Sequence, residues 1–94
     1  MIWLNDLKPE QQTQLENARQ FLQRLHPSER DVVMLAVQGH SDQIIASQRC
    51  ISPHTVRRHI ENVQNRTPDI YGQKLKFRQQ LVPALAPYLF LFSD

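Results

Sequence analysis

Between Ser41 and Val63 the chain spells two short helices separated only by Cys50 and Ile51. Ser41 suits an N-cap, and Asp42 in the first turn favours the positive end of the helix dipole. Ile44, Ile45 and Ala46 are the expected buried residues of this helix, which ends near Arg49 or Cys50. Ser52 then caps a second helix with Pro53 at its first position, where a missing N–H costs nothing. Val56, Ile60 and Val63 recur at i, i+4 and i+7, a narrow inward stripe. Small Ala46 sits where the two helices must approach, and Ile51 and Val56 fill the space between them. So short a connection fixes the pair as a helix-turn-helix.

The rest of the chain reads as helix too. Only two glycines occur, strand alternation is absent, and no Asn-Gly hairpin signal is present. A first helix is expected from Pro9 to Leu25, with Leu15, Ala18, Leu22 and Leu25 on one stripe. A second starts at Pro27 or Ser28, with Ser28 and Asp31 as a capping pair, Val32, Val33, Leu35 and Ala36 as its apolar face, and Gly39 as its stop. The helix from Ser52 ends at Pro68. A further helix is expected from Tyr71 to Leu81, with Lys74, Lys76 and Arg78 on a solvated face. Pro83 can open a last short one, although Pro87 sits awkwardly inside it. Trp3, Phe21, Tyr88, Phe90 and Phe92 are expected to cover the core where the chain ends meet, or else to form a dimer interface. The expected fold is all-α: a small helical bundle. Residues 1–25 are an N-terminal helix, 26–82 the helix-turn-helix domain, and 83–94 an apolar C-terminal segment.

Charge placement points to a polyanion. The net charge is only +2, although the sequence pI is about 9.0. Residues 1–25 balance to zero, whereas residues 49–78 carry Arg49, Arg57, Arg58, Arg66, Lys74, Lys76 and Arg78 against only Glu61 and Asp69. A capped helix with a basic outer face fits the major groove of duplex DNA. The guanidinium groups of Arg57 and Arg58 suit guanine edges or phosphates. Glu61 can accept from a cytosine amino group, or pair with either arginine.

The run GHSDQIIA at 39–46, followed by ISPHTVRRHIENV at 51–63, resembles the LuxR/NarL/FixJ (GerE-type) DNA-binding domain. Gly39, Ser41, Ile45, Ala46, Ile51, Ser52, Thr55, Val56, His59 and Asn62 match its pattern, with Arg57 in place of a lysine. Leu25–Val32 resembles its opening. The resemblance spans about Leu25 to Arg66. It implies a tetrahelical fold over residues 27–82 with the helix from Ser52 as recognition helix. By this resemblance Arg57, Arg58 and Glu61 face bases, and Thr55 and His59 orient the helix or touch phosphate. Gln43 and Arg66 match phosphate-binding positions. Arg49 stands where the family has a core leucine, so either its head reaches out past a packed stem or the turn is looser. His26 stands at the usual threonine cap, and Thr67-Pro68 replaces Leu-Gly. Region 4 of sigma factors resembles a similar pattern, but His59 and Asn62 favour the LuxR type.

Other chemistries are weaker. Cys50, His54 and His59 lack a fourth metal ligand, and Cys50 reads as a small turn residue. Ser52 is explained by capping, and no catalytic constellation is evident, so neither an enzyme nor a cofactor is expected. One cysteine excludes an internal disulfide and fits a cytoplasmic setting. No apolar run reaches the ~20 residues of a membrane helix. The expected protein is a small stand-alone bacterial transcription regulator that binds duplex DNA through residues 52–66 as a homodimer. The residues before Leu25 leave no room for a sensing domain. The alternative is a protein-interaction module on the same scaffold, binding another regulator or RNA polymerase.

Overall fold

The computed structural model describes residues 8–88, and these contain helices and turns but no strand. Helix α1 spans Pro9–Gln23, α2 Pro27–Val37, α3 Asp42–Arg49, α4 Pro53–Arg66 and α5 Pro68–Tyr71. A π-helical turn, Phe77–Leu81, runs directly into α6, Val82–Leu85. One core joins α1 to all that follows. Leu15, Ala18, Phe21 and Leu22 of α1 share it with Val32, Val33, Ile45, Val56 and Val63, and with Phe77, Leu81 and Leu85.

Each start has a local cause. In α1 the Gln11 side chain accepts from the Lys8 N–H at 3.0 Å, and Pro9 needs no partner. The helix stops two residues before the expected Leu25. There the Arg24 and Leu25 N–H groups tighten onto the carbonyls of Phe21 and Leu22. Leu25 is buried all the same.

The expected Ser28–Asp31 cap on α2 does not form. His26 is the N-cap residue, and Glu29 reaches back to its N–H at 3.1 Å. Ser28 is thereby inside the first turn and exposed. At the other end Gly39, at φ 97°, closes the helix as expected. The N–H of His40 returns to the Leu35 carbonyl and that of Gly39 to Ala36, the paired bonds of a Schellman ending.

The chain after α4 departs most from expectation. No single helix covers 71–81. Gly72, at φ 75°, ends α5, and residues 72–76 are irregular. The reason lies in α4. The Thr67 hydroxyl accepts from the Leu75 N–H at 2.9 Å, and the Gln64 side chain accepts from the Phe77 N–H at 2.7 Å. Two N–H groups that a helix would have used internally are spent on side chains. The helix resumes at Phe77 as a π turn, with the Leu81 N–H returning to the Lys76 carbonyl at 2.9 Å. That wider turn leads into Pro83, which has no N–H to give and would crowd an ordinary helical turn. Lys74 and Lys76 are exposed on the irregular stretch rather than on a helical face.

Tyr88 closes the chain onto α1, donating to the Gln14 side chain at 3.1 Å. Phe21 and Tyr88 are buried as expected, while Trp3, Phe90 and Phe92 lie outside the described residues. Tyr71 meets Phe21 edge-on at 5.9 Å. Its buried hydroxyl has no hydrogen-bond partner among the described residues. Burial, then the neighbouring Tyr88, pushes its pKa up to about 12. No described helix is long and apolar enough to cross a membrane.

Candidate nucleic-acid interface

The turn between α3 and α4 is tight. Cys50 takes the left-handed conformation at φ 58° and ψ 40°. The Ile51 N–H returns to Ala46 at 3.0 Å and the Cys50 N–H to Ser47 at 3.4 Å, so a second Schellman ending folds α3 directly into α4. Cys50 is exposed here rather than packed. Ser41 caps α3 by accepting from the Ile44 N–H, and Ser52 caps α4 by accepting from the Thr55 N–H at 3.0 Å. Ile45 and Ala46 are buried as expected, but Ile44 is 46% exposed. A two-turn helix has only a narrow inward stripe, and its two neighbours occupy it.

Arg49 does not loosen this turn. Its guanidinium reaches Asp31 of α2 at 2.6 Å. Both side chains are more than a third exposed, so the pair contributes little stability.

The outer face of α4 carries Arg57, Arg58 and Glu61, all exposed. Among the described residues none of the three makes a side-chain hydrogen bond or ion pair, so Glu61 is not paired with either arginine. Most other arginines are occupied: Arg19 by Glu16, Arg30 by the Leu22 carbonyl, Arg49 by Asp31, Arg66 by Glu29 and Arg78 by Asp42. Thr55 is half-buried, its hydroxyl 3.0 Å from that of Ser52, and His59 is half-buried beside the exposed face.

Of the other two expected site residues, Gln43 borders the same surface hollow as Arg57, whereas Arg66 lies at the far end of α4. Gln43 is exposed on the first turn of α3. Arg66 donates to Glu29 at 2.8 Å and to the Arg24 carbonyl at 3.4 Å. Arg78, expected on a solvated helix face, makes a tertiary contact instead. Its guanidinium crosses to the start of α3, holding the Asp42 carboxylate and the His40 carbonyl. Arg78 and Arg57 flank an open surface hollow whose remaining lining is Gly39 to Gln43. Nothing local marks that pairing, because Asp42 and Arg78 are far apart in the chain. Among the described residues, no group of three or more His, Cys, Asp or Glu side chains is placed to hold a metal ion.

The family model for bacterial regulatory proteins of the luxR family (GerE) matches residues 23–67. No curated protein and no solved structure matches the chain. The match covers α2, α3, the tight turn and α4. Residues 23–67 therefore form a LuxR-type helix-turn-helix domain, the DNA-binding module of that family of regulators.

Proposed function

We propose that this protein is a transcription regulator that binds duplex DNA sequence-specifically, with α4 in the major groove. The observation that carries the reading is the outer face of α4. Arg57, Arg58 and Glu61 project from a firmly capped helix with no side-chain partner among the described residues, while most other arginines are tied down. Exposed, unpaired guanidinium groups on a rigid helix are what base edges and phosphates require. Thr55 and His59 lie on the flank of that face, and Gln43 and Arg66 are the proposed backbone-side positions. Of these, Arg66 shares its guanidinium with Glu29.

One recognition helix reads few bases, so binding as a homodimer to two half-sites about 34 Å apart belongs to the proposal. The regulator acts alone or beside another regulator. The test is a titration of random and selected duplexes at several salt concentrations. Log affinity should fall linearly with log salt, with a slope of roughly −0.9 per phosphate contacted. Absence of binding to any duplex at low salt removes the reading.

A second reading has one observation in its favour. Ile44 is exposed on the outer side of α3, and an apolar side chain there suits a protein surface such as another regulator or RNA polymerase. In that role the scaffold binds protein in the manner of a sigma region 4, and the same titration returns no salt-dependent DNA binding.

A further inference from the structure

We infer that the hollow between α1 and the chain from Tyr71 to Pro87 is a binding site for a small uncharged organic molecule with a carbonyl acceptor and an apolar body. Gln14 and Asn17 of α1 border it, together with Tyr71, Gln80, Pro83 and Pro87. The hollow is half-enclosed and holds about 450 Å³, within the roughly 300–1,000 Å³ of small-molecule sites. No bordering residue belongs to α4, and none falls within residues 23–67. The site is therefore made of the parts that surround the helix-turn-helix, and it does not depend on the DNA-binding reading.

The polar groups around the hollow are mostly donors. The Gln80 side-chain oxygen accepts from the Lys76 N–H at 2.8 Å, and that of Gln14 accepts from the Tyr88 hydroxyl at 3.1 Å. In each carboxamide the oxygen is taken and the amide N–H groups remain. Asn17 is half-buried, and its side chain has no hydrogen-bond partner among the described residues. Tyr71 adds a buried hydroxyl that has no partner among the described residues either. Folded chains leave few buried polar groups unsatisfied, so this one calls for an acceptor from outside.

The rest of the lining selects against charge. Pro83, Pro87 and the Tyr71 ring give apolar walls, and no bordering residue is charged. A carboxylate or an ammonium would lose its hydration there without meeting a counter-ion. A ketone or amide carbonyl has less hydration to lose and meets N–H donors, while its apolar part packs on the prolines.

Titration of the isotope-labelled full chain with benzamide, acetophenone and valerolactam, followed by amide NMR spectra, tests the site. The side-chain amide signals of Gln14, Asn17 and Gln80 should move saturably with at least one of the three. Benzoate and benzylammonium should bind at least about tenfold more weakly, for want of a counter-ion. Tyr71→Phe keeps the ring, removes the hydroxyl and should weaken binding several-fold. Asn17→Asp keeps the shape, sets a negative charge against the carbonyl oxygen and should weaken binding further. Matching Tm values confirm that both variants are folded. No saturable movement of these signals with any of the three compounds overturns the site, and so does equal affinity for benzoate. Wild-type affinity in both variants overturns it as well. None of these outcomes bears on whether α4 binds DNA.

Discussion

Arg66, the last residue of α4, donates to the Glu29 carboxylate in the first turn of α2 at 2.8 Å. The Glu29 side chain is only 4% exposed and that of Arg66 35%. The same carboxylate oxygen receives the His26 N–H, so one acid closes the cap of α2 and anchors the end of α4. Removing the arginine strands a buried charge. Arg66→Ala should cost about 2–3 kcal/mol, below the value for a fully buried pair because water reaches the guanidinium. Adding Glu29→Gln to that variant should recover part of the loss. Denaturant titrations decide it: an Arg66→Ala protein as stable as wild type would mean that the pair contributes nothing.

Thr67 is fully buried, donating to the Gln64 carbonyl at 2.6 Å and accepting from the Leu75 N–H at 2.9 Å. Thr67→Val keeps the shape and strands that N–H, at a cost of about 1–3 kcal/mol. Thr67→Ser should lose less. Equal stabilities of the valine and serine variants would show that the hydroxyl is not what holds the segment.

Tyr71 sets a signature at high pH. Its folded pKa of about 12 exceeds the ordinary value of 10.0. The folded state therefore holds the phenolic proton more tightly than the unfolded state. That contribution is complete below pH 10 and is lost as pH rises toward 12. Tyr71→Phe should flatten this decline. Because the hydroxyl has no partner among the described residues, the variant should match or exceed wild-type stability at neutral pH. Thermal unfolding measured from pH 9 upward checks both halves, and a phenylalanine variant with the wild-type slope would exclude Tyr71 as the source.

Cys50 occupies a left-handed position that glycine adopts at no steric cost. Cys50→Gly should stabilise by about 0.5–1 kcal/mol, the relief exceeding the added freedom of the unfolded chain. Cys50→Val should destabilise. An urea titration ranking valine above glycine would contradict the backbone account.

The helix-turn-helix was legible because its signals are local. Ser41, Ser52 and Pro53 mark starts, Gly39 marks a stop, and Val56 and Val63 mark the inward stripe. The region after Thr67 was not legible for the opposite reason. Its course is set by Gln64 and Thr67 side chains capturing N–H groups 13 and 8 residues away, and such bonds leave no periodicity. Ser28 misled because Glu29 served the cap instead. Of the candidate site, the exposure of Arg57 and Arg58 followed from the stripe, whereas the reach of Arg78 to Asp42 depends on the tertiary fold.

The core shared by α1, the helix-turn-helix and the segment after Gly72 has a consequence for anyone who would transplant the helix-turn-helix. Residues 23–67 cut free would lose Leu22, Phe77 and Leu81 from the core they share with Val32, Val33 and Val63, and would lose the segment whose N–H groups Gln64 and Thr67 hold. A chimera that borrows α4 must therefore bring the flanking segments with it, or replace the apolar surface they supply.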